Sequence, residues 1–478
     1  MPLSNIEPKA IWNNFSKLNA IPRPSKKEER VIALIKSFGE SLGLPTRVDE
    51  VGNVIIQKPA TPGMEQKKTV VLQSHLDMVC QKNNDTDFDF DTQGIQMKID
   101  GDWVKAEGTT LGADNGIGVA TIMSILEADN IAHPALEALF TIDEETGMTG
   151  ALGLQPEELQ GKILLNLDTE EDDSFSIGCA GGVDVTATQN YYLVAGNGVA
   201  VQIKIKGLRG GHSGMDIHKG FGNANVLMAR FLYLGIDEIQ LIGIDGGGLR
   251  NAIPRESTAL LYVQDLSGFQ NDFESLKAEI MEEFRSVEPD LNITLATVDS
   301  SANALSKEDS AQVIAVIKGM HNGVFRMSPD IEGLVEASNN IARVLLVDGK
   351  LQILCLTRSS VESTKIQVVE QLEAVCSLAD ISVETSGDYP GWKPNPDSGI
   401  LKIMENIYTQ KFGTAPIVEA CHAGLECGII GANYPGMEMI SFGPTIKGAH
   451  SPEEKVSIRS VQKFWDFVKD ILANIPEA

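Results

Sequence analysis

A histidine and an aspartate two residues apart, His75 and Asp77, follow the apolar run Val70-Val71-Leu72. A buried strand alternates its side chains, so positions 75 and 77 share one face. An imidazole and a carboxylate there could take a divalent cation, and polar residues at the carboxyl ends of strands in an open α/β sheet are better placed for chemistry than for the core. Alone, His-x-Asp is weak, because many chains carry it by chance. Three further stretches behave in the same way. Leu111-Gly112-Ala113-Asp114-Asn115-Gly116-Ile117-Gly118 sets a carboxylate among glycines, which let the backbone turn sharply and bring Asp114 close to what it binds. A plain N-cap on helix 115–128 is the alternative for that aspartate. The run 136–142 ends in Asp143-Glu144-Glu145-Thr146-Gly147, and the run 163–167 ends on Asp168. His450 stands on a loop after the strand 437–442.

Borderline divalent metals such as zinc take imidazole nitrogen and carboxylate oxygen, and two metals about 3.5–4 Å apart need a bridging carboxylate with further ligands on either side. His75, Asp114, Glu145, Asp168 and His450 complete such an inventory. Two metals lower the pKa of a shared water toward neutrality and polarise a carbonyl oxygen, which suits hydrolysis of an amide. The general base must reach that water without being a ligand, and Glu144 beside Glu145 is the candidate. Asp77 can accept the other ring N–H of His75 and fix its tautomer. The nucleophile alternatives are poorer: no Gly-x-Ser-x-Gly elbow occurs, and Cys80 has no assigned base.

The elements that must position these groups are legible in outline. Ile11, Phe15 and Leu18 recur at helical spacing in 7–20, and Ser25-Lys26-Lys27-Glu28 reads as a capping box that starts a second helix at Ser25. Residues 46–51 and 53–57 alternate around Gly52-Asn53, and 97–99 and 103–106 flank Asp100-Gly101, as two hairpins. The acidic loop 85–91 lacks the glycine of a calcium loop. After Gly178-Cys179-Ala180-Gly181-Gly182 the pattern shifts to half-exposed strands at 183–194, 200–206, 258–264, 292–298, 343–347, 351–357 and 381–384, with helices at 220–234, 270–287, 309–320 and 363–377. This predicts an inserted α+β domain, 183–390, built as two similar halves. From Tyr389-Pro390-Gly391 the α/β pattern returns, with helices 397–412, 424–430 and 457–474 and a strand near Ile417. The predicted fold is therefore an α/β catalytic domain, a mixed sheet flanked by helices, formed by 1–182 and 391–478 and interrupted by the insertion.

The totals restrict the function classes. A chain of 478 residues with 42% apolar and 22% charged residues is globular and long enough for two domains. Its balance, 39 − 66 = −27, repels phosphate backbones and anionic lipid, so neither nucleic acid nor a membrane surface is an expected partner. Six cysteines without a CxxC pair predict free thiols in a reducing compartment, and the first residues lack a basic stretch followed by an apolar one, so the expected location is cytoplasmic.

The blocks Ser74-His75-Leu76-Asp77, Gly112-Ala113-Asp114-Asn115-Gly116, Asp143-Glu144-Glu145-Thr146-Gly147 and Asn166-Leu167-Asp168 resemble the motifs of the dizinc metallopeptidases that include glutamate carboxypeptidase, peptidase T and the carnosinases. Gly210-Gly211-His212-Ser213-Gly214 is similar to the lid motif of that family. Gly246–Glu256 and Cys421–Gly428 resemble its dipeptidases that act on Xaa-His, β-alanyl-histidine among them. The resemblance covers essentially the whole chain and implies a zinc-peptidase-like fold with an inserted lid and dimerisation domain. It implies that Asp114 bridges two ions, with His75 and Asp168 on one and Glu145 and His450 on the other, Glu144 as base and Asp77 as orienter. It implies an Asp114–Asn115 cis bond, and a His212 that stabilises the oxyanion, often across a homodimer. Asn251, Arg358 and Gly424 would hold the peptide substrate and its carboxylate, a role a guanidinium suits because it meets carboxylate bidentately. The implied cofactor is two divalent ions per subunit, Zn2+ first, with Mn2+ or Co2+ as alternatives. An aminotripeptidase or an N-acyl amino acid deacylase of the same family is the alternative activity. His133, His218 and His321 are expected to be solvated or locally hydrogen-bonded, and His422 to support a site rather than to ligate.

Overall fold

In the computed structural model, which describes residues 3–83 and 85–478, the run Val70–His75 is a strand with every residue buried. It lies between Leu136–Thr141 and Ile163–Asn166, parallel to both, and Glu438–Ser441 continues the parallel block. Unbroken aliphatic runs are what strands covered on both faces require. Register then decides where polar residues fall: His75 pairs with Thr141, Gln73 with Asn166, and Asn166 with Ser441. Four carboxyl ends therefore finish at the same end of the sheet. The hairpin Thr46–Val48 and Val54–Lys58 flanks one side, Ser174–Cys179 and Ile417–Cys421 the other, which completes an eight-stranded mixed sheet.

Helices cover this sheet. Lys9–Asn19 buries Trp12, Phe15 and Leu18, and Trp12 and Phe15 share a core with Ile117 and Ala120 of the apolar helix Ala113–Glu127. The latter begins irregularly: Asp114 and Asn115 have non-helical φ/ψ and the bond between them is cis. Gly118 has to be glycine, since a Cβ there would strike Ser74 Oγ and the Leu167 carbonyl. Ile458–Ala473, capped by Ser457, buries Phe464, Phe467 and Ile471. The predicted capping box is a correction. Lys26 turns into the left-handed region at φ 66°, the helix starts only at Glu29–Ser41, and the Ser25 hydroxyl instead donates to Asp77 Oδ2 at 2.7 Å.

The chain divides into two units, one formed by residues up to Gly178 with Pro394–Ala420 and Leu425–Ala478, the other by Cys179–Lys393 with Cys421–Gly424. The junctions predicted at 182/183 and 390/391 stand beside the observed 178/179 and 393/394. Cys421–Gly424, predicted with the first unit, belongs to the second.

The second unit is a nine-stranded antiparallel sheet with two nested βαββαβ halves. The inner half has strands Val199–Lys206, Gln240–Gly247, Ser257–Val263 and Asn292–Thr297, in spatial order fourth, first, third, second. The outer half, Gly181–Asn190, Val335–Val347, Lys350–Ser359 and Ser382–Tyr389, has the same order, and the halves join where Gln240–Gly247 pairs with Val335–Val347. Because the inner half interrupts the outer one after its first strand, no fixed-period repeat shows in the sequence. The start of Val335–Val347 reads as a loop because Ser338, Asn339 and Asn340 are polar, yet all three are buried. Their partners come from elsewhere in the chain: Asn340 Nδ2 donates to the Ala252 carbonyl at 2.9 Å, and Asn339 Oδ1 accepts from Thr357 Oγ1 at 2.9 Å.

Candidate metal centre

The strand ends and the glycine-flanked turn bring the predicted ligands of the first unit together. His75 Nε2 lies 3.3 Å from Asp114 Oδ1 and 3.4 Å from Asp168 Oδ1. On the other side, His450 Nε2 lies 3.2 Å from Asp114 Oδ2 and 3.1 Å from Glu145 Oε2. Each oxygen of Asp114 thus faces a different histidine. Asn115 fastens this turn to the Asp168 strand by donating from Nδ2 to the Leu167 carbonyl at 2.6 Å. Asp77, fully buried, stands 3.3 Å from His75 Nδ1 and accepts the backbone N–H of Glu144 at 3.0 Å and of Glu145 at 3.2 Å. Asp77 therefore lies against the histidine on one strand and bonds the backbone of both glutamates beyond another.

The donor atoms fit divalent ions. Ligands held about 2.0–2.1 Å from a tetrahedral ion are roughly 3.3–3.4 Å from one another, close to the separations found here. Asp168 Oδ1 and Glu145 Oε1 are buried without a hydrogen-bond partner. Among the described residues, no lysine or arginine forms an ion pair with Asp77, Asp114, Glu144, Glu145 or Asp168, and imidazoles are the cationic groups in direct contact with these carboxylates. The electrostatics express that shortage. Burial opposes charge on His75, but Asp168, Asp114 and Asp77 raise its pKa well above the ordinary value. Asp114 and Glu145 hold His450 at about 11. Burial lifts Asp168 to about 6 against the pull of His75. Burial also raises Glu144 well above the usual carboxylate range, with His75 opposing and Asp168, Glu426 and Glu145 adding. Asp77 goes the other way: His75, Ser25 and the Glu144 N–H outweigh its burial and hold it near 2.

Three residues behind the centre have no signature in the sequence. Glu426 is buried and accepts from Gln73 Nε2 and Thr141 Oγ1, both at 2.7 Å. Gln73 passes the contact on by accepting from Asn166 Nδ2 at 2.5 Å, so a polar layer crosses the strands from a position two residues before His75. Arg23 and Glu454 grip the backbone around Asp114. Only a polar residue inside an otherwise apolar run, such as Gln73 in Val70–His75, hints at such a layer.

A second cluster lies wholly within the second unit. Arg358, 5% exposed, donates from Nη1 to Tyr389 Oη at 3.0 Å; its Nε has no partner and no carboxylate pairs with it among the described residues. It is not the exposed strand-end arginine that its position would otherwise suggest. Gly214 packs where a Cβ would strike the His422 carbonyl and come within 3.2 Å of both Arg358 Cδ and His212 Cε1. Burial and Arg358 lower the pKa of His212, and lower that of His422 to about 3. His212 Nδ1 accepts the N–H of Gly214 at 3.2 Å and of Met215 at 3.0 Å, which leaves its proton on Nε2. His422 Nε2 lies 2.7 Å from Ser338 Oγ. Asn251 joins this group through its backbone, its carbonyl accepting from Ser213 N, while its side chain is exposed. Gly424 lies half-buried two residues beyond His422. Of the other histidines, His133 is buried and bonded through Nδ1 to the Pro134 carbonyl at 2.7 Å, and His321 Nε2 meets the Gly323 carbonyl at 3.2 Å.

Paired histidine and carboxylate donors about a shared aspartate, at the carboxyl ends of a mixed sheet, define a class, the dinuclear metallopeptidases. The chain belongs to peptidase family M20/M25/M40, whose model matches residues 71–474, and it is a peptide-bond hydrolase. It is 43% identical to the cytosol non-specific dipeptidase of Escherichia coli over 486 aligned residues, 99% of either chain. The crystal structure of aminoacylhistidine dipeptidase from Vibrio alginolyticus superposes with a TM-score of 0.94 at 44% identity, covering 100% of this chain and 99% of that one. Aminopeptidase PepT from Bacillus cereus, at 17% identity and TM-score 0.58 over 98% of this chain and 99% of that one, shares the fold.

Proposed function

We propose that the protein hydrolyses unblocked dipeptides, with Xaa-His dipeptides such as β-alanyl-histidine preferred, using two divalent ions, Zn2+ first. The observation that carries this reading is the division of donors about Asp114: His75 and Asp168 on the side of Oδ1, His450 and Glu145 on the side of Oδ2. Ions held there would supply Lewis acidity for the scissile carbonyl and acidify water. Asp114 would be the ligand shared by the two ions, and Asp77, beside Nδ1, would orient His75. Glu144, kept basic by burial and neighbouring carboxylates, takes the proton of the attacking water and returns it to the leaving amine. Arg358, a buried cation without a carboxylate, receives the substrate's carboxylate, with Asn251 and Gly424 nearby in the same unit. His212, neutral with its proton on Nε2, is a suitable donor to an oxyanion.

The dipeptidase reading is supported by the activities for which the two relatives above 40% identity are named, and a cytoplasmic location by the name of the first. No helix of the described residues is long and apolar enough to cross a membrane. The reading includes a homodimer formed through 183–390, the lid of the enzyme. The test is turnover of a panel of dipeptides, tripeptides and acetylated amino acids by the purified protein, with and without chelator. Chelator-sensitive cleavage of dipeptides, fastest for Xaa-His, is expected. Preferential cleavage of tripeptides or of acetylated amino acids would replace the substrate assignment.

A further inference from the structure

The backbone turn that carries Asp114 is held from both sides by buried charges that belong to neither donor set. On its N–H side, Glu454 Oε2 accepts from Leu111 at 2.7 Å and Gly112 at 2.9 Å, and Oε1 accepts from Ala113 at 2.7 Å and Asp114 at 3.2 Å. On its carbonyl side, Arg23 Nη2 donates to the Gly112 carbonyl at 2.6 Å and to Asn19 Oδ1 at 3.2 Å. Glu454 is 2% exposed and Arg23 1%.

The two grips lead to different places. Arg23 Nη1 donates to the carbonyls of Leu76 at 3.0 Å and Asp77 at 2.8 Å, so it ties the Asp114 turn to the corner immediately after His75. Glu454 lies four residues beyond His450 on a loop closed by its own N–H to the Ser451 carbonyl at 3.0 Å and by Ser451 Oγ to the Gly448 carbonyl at 2.7 Å. It therefore ties the same turn to the histidine on the opposite side. We propose that Arg23 and Glu454 are positioning residues that set the two cation positions separately, Arg23 by fixing His75 against Asp114 and Glu454 by fixing His450 against Asp114. The inference rests on the two-ion reading above. Groups that hold a ligand in place typically change metal affinity about 10- to 100-fold when lost. Without Glu454, four buried N–H groups would lack an acceptor, and the turn would relax away from the His450 loop.

The test is calorimetric titration of the metal-free full-length protein with Zn2+. Arg23→Lys and Glu454→Gln are each measured alone, with His450→Ala, which leaves the position of His75 and Asp168, and with Asp168→Ala, which leaves that of Glu145 and His450. With His450→Ala, Arg23→Lys is expected to weaken the remaining ion by about 10- to 100-fold and Glu454→Gln by far less. With Asp168→Ala the order reverses. A general loss of stability would weaken both positions alike, and that result, or no weakening in either background, would overturn the proposal. Should Glu454→Gln fail to fold by circular dichroism, Glu454→Asp, which keeps the charge and shortens its reach, must give the same ordering. Wild-type protein that takes up a single ion would overturn the two-ion reading itself, a result distinct from two ions without selective weakening.

Discussion

The two units collect opposite charges by opposite means. In the first, buried carboxylates crowd the ends of parallel strands, in contact with imidazoles and without a lysine or arginine ion pair among the described residues. In the second, a buried arginine lowers the pKa of two nearby histidines and meets a tyrosine hydroxyl where a carboxylate would be expected. A buried charge without a protein partner is expensive unless a ligand completes it. A cation would complete the first cluster and an anion the second, as the proposed reading asks of a metal ion and of a substrate carboxylate.

The largest expected effect separates chemistry from cation binding within the first cluster. Glu144→Gln should lower kcat by about 10²- to 10⁴-fold, because the base is lost, while metal analysis still finds two ions per chain. Loss of ions together with activity would make Glu144 a ligand. In the second cluster, Arg358→Met should raise KM for a dipeptide by about 10- to 100-fold through the loss of charge-assisted hydrogen bonds, with metal content unchanged. An unaltered KM would leave the buried guanidinium without a function in binding.

The polar layer beneath the first cluster gives a pH dependence. Burial, reinforced by Asp168 and Asp77 against His75 and Thr141, lifts Glu426 to about 8. The folded chain therefore holds a proton that the unfolded chain releases above its ordinary pKa of about 4.3, so this contribution to stability is complete below that pH and falls as pH rises through 8. In the metal-free protein, Glu426→Gln, whose amide oxygen can accept the same two bonds, should remove that decline. Urea unfolding should show the variant gaining on wild type by on the order of a few kcal/mol between pH 5 and pH 8.5. A constant difference would mean that Glu426 is ionised throughout. The smallest effect is expected for Ser25→Ala, which removes one hydrogen bond to Asp77 at a cost of about 1 kcal/mol. It should lower turnover less than tenfold.

The same contrast explains what could be read in the sequence. His75, Asp168 and the Glu144–Glu145 pair each follow an apolar run, and a strand that stops on a polar residue announces both its own end and a side chain delivered there. Asp114 stood out through its glycines. The second cluster draws on residues 212, 338, 358, 389 and 422, which strand pairing and a returning segment assemble, and no local pattern links them. Resemblance to the family pointed to His212, Arg358, Asn251 and Gly424, but not to Tyr389 or Ser338. Glu454 and Arg23 were invisible for another reason: both act on backbone atoms, which every sequence carries. Ser25 was misread because a local capping pattern competed with a distant acceptor, Asp77, and the distant one prevailed.

The most direct test is a crystal structure of the zinc-loaded protein with anomalous scattering measured at the zinc edge. The account predicts two peaks per chain, one contacted by His75 and Asp168, the other by Glu145 and His450, with one oxygen of Asp114 on each. A single peak, or two that do not share Asp114, would contradict it.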